Sequence, residues 1–327
     1  MIEGFNYTHL LNLQLDFLLW LQNIRICHNE LNQFFLWLTK FGEFYVPSLI
    51  CLTIYWCFNL IDGVYLFSLF YANVFFAQLI KMLACIYRPW ILCDKIKPPA
   101  EAIRGAGGYS FPSGHSSKVA SVFGGIAVIY KNKFVTTLVI LLILSIMFSR
   151  MWLGVHTPQD VIVGFLVGII FVFILKSFIN WIEKGKNRYL YFMAIIDILT
   201  VATFIYIVHK PYPTNYIAGK LIVNPSSSIY ATTICLSYPL GLLNGVFLCR
   251  RFFPFKTNIS IYKKILRGIL GILLLNFLFD IMNKCFWGVS HNYVFTFCVM
   301  FIFGFILTAI YPLFFMLIEK INNVFIE

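Results

Sequence analysis

The stretch FVTTLVILLILSIMFSRMWLGVHTPQDVIVGFLVGIIFVFIL, residues 134–175, consists of two long apolar runs joined by a short polar one. A helix needs about 20 apolar residues to cross a bilayer. One such run closes at Ser149–Arg150 and the next opens at Thr157–Pro158. The pattern predicts two membrane-spanning helices with no room for a domain between them. Outward from this pair, further apolar runs occupy 44–60, 63–85, 115–131, 189–208, 230–249, 266–283 and 292–316. The chain is 60% hydrophobic and 12% charged, with 36 Phe in 327 residues. That composition excludes a soluble domain. The expected fold is all-α, a polytopic transmembrane helical bundle of about eight or nine spans.

The chain begins without a basic leader, and Gln14 and Asp16 interrupt its first apolar stretch. No cleavable signal is expected there. Residues 1–43 are expected as amphipathic helices at the interface, ahead of a core over 44–188 and additional transmembrane helices over 189–327. The net charge of +12 resides in short loops between spans, which marks topology rather than a nucleic-acid partner. Lys131, Lys133, Lys184, Lys186, Arg188, Arg250, Arg251, Lys256, Lys263, Lys264 and Lys320 fall on one side when the spans alternate. Lys95, Lys97, Arg104, Lys210, Lys220 and Lys284 fall on the other, with the polar segments described next. The richer set belongs in the cytoplasm by the positive-inside rule. Those polar segments then face outward. The abundance of Ile, Asn, Lys and Phe fits an AT-rich genome and a bacterial plasma membrane. Nine cysteines show no zinc spacing, although Cys85 and Cys93 are near enough in sequence for a disulfide.

Three segments carry chemistry: Lys81–Pro89 (KMLACIYRP), Phe111–His115 (FPSGH) and Ser149–Asp160 (SRMWLGVHTPQD). In the third, Thr157-Pro158-Gln159-Asp160 reads as a helix start, with Thr as N-cap, Pro first and Asp third. His156 precedes that N-terminus, where backbone donors favour an anion. Asp160 is placed to hold one ring nitrogen and leave the other free to attack. In the second segment, Ser113 suits an N-cap and Gly114 allows close backbone approach to a ligand. His115 falls in the first helical turn, placed to donate a proton to a leaving oxygen. In the first, Lys81 and Arg88 share a helix face if the helix runs on to Pro89. With Arg150 they make a cation cluster suited to phosphate oxygens. Taken singly, each segment also has an ordinary reading: Asp160 as a cap, His115 at a loop–helix junction, Lys81 reaching the headgroups. Lys118, one turn after His115, is either a further cation over a second phosphate or another lysine reaching the interface.

Lys81-x6-Arg88-Pro89, Pro112-Ser113-Gly114-His115 and Ser149-Arg150-x5-His156-x3-Asp160 resemble, in order and spacing, the three-part signature of the type 2 phosphatidic acid phosphatase superfamily. The resemblance covers about residues 60–180. It implies a six-helix phosphatase core with His156 as the nucleophile on phosphorus and Asp160 supporting it. It implies His115 as the proton donor to the leaving group. Lys81, Arg88 and Arg150 would hold the phosphoryl oxygens, with Ser113 and the Gly114 backbone. It implies no cofactor and no metal. The partners it implies are the bilayer and a phosphorylated lipid. Two alternatives stay open: a lipid phosphotransferase with the same site, and a transporter or flippase that keeps only the binding site. Residues 189–327 show no motif; Asp280, Trp287 and His291 are their notable positions, expected as packing or interface residues.

Overall fold

The computed structural model describes residues 2–185, 187–217, 220–286 and 292–324. Lys186, Trp287 and His291 lie outside the described residues. Helix α1 spans Ile2–Cys27 and α2 Leu31–Thr39, closed by a 3₁₀ turn at Lys40–Gly42; α3 spans Tyr45–Thr53 and passes into a π turn at Ile54–Phe58. Then come α4 (Leu60–Ala84), two short helices α5 (Pro89–Leu92) and α6 (Ala100–Arg104), α7 (Gly114–Tyr130), α8 (Lys133–Trp152) and α9 (Pro158–Glu183). The rest are α10 (Arg188–His209), α11 (Pro225–Phe252), α12 (Ile261–Phe286), α13 (Tyr293–Phe305) and α14 (Tyr311–Val324), with a π turn at Ile306–Ile310. A two-residue antiparallel ladder pairs Tyr216 with Leu221 before α11.

The fold is the expected all-α polytopic bundle. Among the described residues seven helices are long and apolar enough to cross a membrane, or eight if the bent pair Leu31–Gly42 and Tyr45–Phe58 is one span. The count falls at the lower end of the expectation. The run read at 115–131 forms α7, which at 17 residues stands outside that count, although 17 residues is within the range of lengths that cross a bilayer.

Residues 1–46, 76–172 and 210–228 form one compact unit, and 47–75, 173–209 and 229–327 a second. In the first, Leu15, Leu18 and Leu21 of α1 are buried in one cluster with Ile96, Trp152, Leu153 and Val155. Each such side chain contributes about 1.5–3 kcal/mol through burial. Polar bonds reinforce the contact. Arg25 Nη1 donates to the Trp152 carbonyl at 2.9 Å, and Gln14 and Gln159 exchange two bonds, the Gln159 backbone N–H donating to Gln14 Oε1 at 2.8 Å. Thus α1 is tied to the turn between α8 and α9. Cys85 and Cys93 are free thiols, so no disulfide closes that loop.

The second unit is built around α11, the most buried of the spans. A Cβ on Gly241 would come within 2.0 Å of the Phe301 carbonyl, and one on Gly304 within 2.3 Å of the Tyr238 carbonyl. Glycine lets α11 and α13 touch backbone to backbone, the means by which helices associate where no hydrophobic driving force separates them from lipid. Arg267, buried, meets Glu319 through two 2.8 Å bonds and donates to the carbonyls of Trp56 and Lys256. Its guanidinium lies 4.0 Å over the Phe315 ring. This ion pair is satisfied by its neighbours and reads as architecture. Asp280 pairs with Lys284 at 2.7 Å on an exposed helix face.

Candidate active site

All nine sequence-predicted site residues fall in the first unit. The turn after α8 sets the arrangement. Gly154 takes φ +69°, a left-handed conformation that glycine adopts without a Cβ clash. The Val155 N–H donates back to the Arg150 carbonyl at 3.1 Å. The chain reverses, presents His156, and starts α9 with a reciprocal cap. The Thr157 N–H donates to Asp160 Oδ2 at 2.9 Å, and the Asp160 N–H donates to Thr157 Oγ1 at 3.3 Å. Asp160 therefore caps its helix and serves the histidine together; the two readings of this residue are not exclusive.

His156 is 2% exposed. Its Nδ1 lies 3.3 Å from Asp160 Oδ2 and 3.3 Å from Ser110 Oγ, while Ser110 Oγ donates to the same carboxylate oxygen at 2.6 Å. On the other side, Arg88 Nη1 stands 2.8 Å from His156 Nε2. Arginine has donors only, so Nε2 is the acceptor and the ring proton sits on Nδ1, toward Asp160. This is the tautomer an Nε2 nucleophile requires. Burial first, then the Arg88, Arg150 and Lys81 cations, hold the imidazole well below the ordinary histidine range, so it is neutral.

The cations reach the site differently from the sequence expectation. Helix α4 stops at Ala84 and Cys85 turns the chain with φ +50°. Arg88 has φ −70° and ψ 152°, ahead of Pro89 at the start of α5. Lys81 and Arg88 thus do not share one helix face; proline at 89 bars its predecessor from helical backbone. Each is instead oriented by loop carbonyls. Lys81 Nζ donates to Tyr109, Ser110 and Pro112 oxygens at 3.0, 2.9 and 2.9 Å, so it does not reach for headgroups. Arg88 donates to Gly107, Gly108 and Val155 oxygens at 3.1, 3.2 and 3.0 Å. Arg150 donates through Nη1 to Thr39 Oγ1 at 2.7 Å. Its Nε is buried with no hydrogen-bond partner, a donor of the kind a phosphoryl oxygen would satisfy.

The second segment is tied to the third by backbone. The Ser113 N–H donates to the Asp160 carbonyl at 2.9 Å. Ser113 Oγ caps α7, accepting from the Ser116 N–H and Ser116 Oγ, and keeps its own proton for another acceptor. A Cβ on Gly114 would meet nothing within 4 Å. The approach of α7 to α9 depends on Gly164 and Gly168, where a Cβ would come within 2.5 Å of the Ser113 carbonyl and 2.3 Å of the Ser117 carbonyl. His115 lies within electrostatic reach of Arg150, Lys118, His156 and Arg88. Lys118 is buried with Nζ 4.7 Å over the Phe44 ring. Among the described residues no group of three or more His, Cys, Asp or Glu is placed to hold a metal.

Sequence reading passed over four residues that the fold brings here: Ser110 on the carboxylate, Thr39 on Arg150, and Gln14 and Arg25 behind the turn. Ser110 adjoins the second segment and Thr39 closes α2, but neither stands in a motif. Only their contacts identify them.

The fold and this site define a class: an integral membrane protein with a buried histidine–carboxylate pair, a second histidine and several cations gathered in one compact unit. Comparison with known proteins narrows it. Residues 62–184 match the PAP2 superfamily, and residues 236–322 match the PAP2 superfamily phosphatase transmembrane extension. The chain thus carries a PAP2 superfamily region and, after it, a region similar to that superfamily's transmembrane extension. It is 29% identical over 119 residues to phosphatidylglycerophosphatase B of Bacillus subtilis (strain 168), a match that takes in 33% of this chain. The chain spans 57% of that relative's length. No solved structure matches the chain.

Proposed function

We propose that the chain is a metal-independent membrane phosphatase that hydrolyses a lipid phosphate or pyrophosphate monoester through a phosphohistidine intermediate. The observation that carries this reading is His156, neutral, with Nδ1 at Asp160 and Nε2 within the cations. In the resting site Arg88 donates to Nε2. An entering phosphate offers better acceptors for that guanidinium, since its oxygens are anionic and match the planar fork. The lone pair of Nε2 is then released toward phosphorus. Attack forms the P–N bond as the P–O bond to the alcohol or phosphate breaks, and His115, which takes up a proton with the anionic substrate beside it, gives that proton to the departing oxygen. Lys81, Arg88, Arg150, Ser113 and the Gly114 backbone stabilise the charge that builds on the phosphoryl oxygens. Water then attacks phosphorus, His115 takes its proton, and the P–N bond breaks to free inorganic phosphate and neutral His156. Lys118 is assigned to a second phosphate when the substrate has one.

On this reading 44–188 is the phosphatase core, 189–327 adds spans, and 1–43 is an interfacial segment. By the positive-inside rule the loop charges support a site on the outer face of a bacterial plasma membrane. The lipid's headgroup enters there while its tails stay in the bilayer.

The test is phosphate release by detergent-purified protein in EDTA. The panel is phosphatidylglycerol phosphate, phosphatidate, undecaprenyl pyrophosphate, sphingosine phosphate and glucose 6-phosphate. Release that persists in EDTA and is lost in His156→Ala supports the reading, and trapped ³²P on His156 identifies the intermediate. Loss on chelation, or full activity in His156→Ala, would overturn it. Dependence of turnover on an added alcohol would move the assignment to a phosphotransferase.

A further inference from the structure

The three signature segments account for most of the site, but a fourth stretch encloses it. After α2 the chain passes through the 3₁₀ turn Lys40–Gly42. This elbow touches three site residues in succession. Thr39 Oγ1 accepts from Arg150 Nη1 at 2.7 Å. Gly42 lies flat against His115, where an added Cβ would be 2.9 Å from the ring Cδ2 and 3.2 Å from Cα. The Phe44 ring sits under Lys118 Nζ at 4.7 Å. The elbow lies outside both matched regions, which begin at residue 62 and residue 236.

We propose that Thr39–Phe44 is a fourth segment of the phosphate site and that Thr39 is the positioning residue for Arg150. The inference rests on the phosphatase reading above and deepens it. The physical argument concerns one guanidinium. Thr39 is 5% exposed and Arg150 2%, so water does not compete for their bond. A threonine hydroxyl accepting from Nη1 orients the planar fork, and the unpartnered Nε is then left for a phosphoryl oxygen. Without the hydroxyl the side chain keeps its charge but not its orientation. Fixed orientation is what distinguishes an arginine fork from a diffuse point charge. Gly42 and Phe44 continue the same surface under His115 and Lys118, so the elbow supports the groups on both sides of the transferred phosphoryl group.

Thr39→Val removes the hydroxyl and keeps the branched shape; Thr39→Ser keeps the hydroxyl. Both are measured for kcat, KM and thermal unfolding, and separately for binding of inorganic phosphate by calorimetry, which needs no turnover. A hydrogen bond to a charged group corresponds to about tenfold or more in an equilibrium constant. Thr39→Val is therefore expected to raise KM and weaken phosphate binding by about tenfold and to stay folded at the assay temperature, with an unfolding temperature lowered only as far as one unpaired buried donor requires, while Thr39→Ser stays within about threefold of wild type. Phosphate affinity and KM of Thr39→Val within twofold of wild type would overturn the proposal. So would equal loss in both variants, which would mark a packing role. Wild-type protein that releases no phosphate from any lipid would instead sink the phosphatase reading, and the calorimetric comparison would still judge Thr39.

Discussion

Replacing Gly168 with alanine tests how the site is held together. The residue lies in α9, two turns beyond Asp160, with its backbone on α7. An alanine Cβ would sit 2.3 Å from the Ser117 carbonyl oxygen, 2.8 Å from the Ala120 Cβ and 3.0 Å from the Ser121 nitrogen. Carbon–oxygen contacts ordinarily close at about 3.3–3.6 Å, so the helices must part by about 1 Å. The obstacle is backbone, and no rotamer change relieves it. Helix α7 carries His115 and α9 begins just after His156, so the separation falls between the proposed acid and the nucleophile. A misplacement of about 1 Å costs on the order of a hundredfold in rate, while overpacking costs about 1–3 kcal/mol of stability. The assay is kcat and KM of purified Gly168→Ala on the lipid phosphate wild type prefers, beside thermal unfolding in the same detergent. The expected result is a folded protein with kcat lowered about a hundredfold and KM changed far less. Adding Ala120→Gly removes one close carbon but not the Ser117 carbonyl, so the double variant should recover little. Wild-type kcat in Gly168→Ala would refute the reasoning, as would a loss fully explained by unfolding.

Other consequences are equally direct. Because burial and the Arg88, Arg150 and Lys81 cations depress His156, its neutral form persists as pH falls through the usual histidine value of about 6.5. The acid limb of kcat/KM that belongs to the enzyme should therefore lie below that value. Two substrates of different phosphate pKa separate it from their own second ionisation, and an enzyme limb at or above 6.5 would contradict the account. At Gly114 an added Cβ meets no protein atom within 4 Å, so Gly114→Ala should unfold at the wild-type temperature. If the phosphoryl group is cradled there, KM for the lipid rises several-fold; unchanged KM would remove Gly114 from the site.

Much of this was legible one residue at a time. Long apolar runs specify spans because a bilayer offers backbone polar groups no partner outside a helix, and Thr157-Pro158-x-Asp160 specifies a helix start because a cap is a local bond. The exceptions are physical too. The run at 115–131 specifies α7 as a helix, but its close seat on α9 at Gly164 and Gly168 is not a property hydropathy registers. Lys81 and Arg88 were expected on one helix face, but Pro89 and the turn at Cys85 end α4 early. Their convergence comes from carbonyls of the 107–112 loop.

Sequence by itself determined the fold class, the histidine and carboxylate at the head of α9, and the cation types, because hydropathy, capping and charge are properties of residues and near neighbours. Tertiary structure alone decided which nitrogen of His156 carries the proton, which carbonyls orient Lys81 and Arg88, and that Thr39, Ser110 and Gln14 belong to the site. Those facts depend on bonds between residues tens to more than a hundred positions apart, such as Arg150 with Thr39 and Gln159 with Gln14. No local pattern encodes such pairings, because they exist only once α1 and α2 pack against α8 and the turn that follows it.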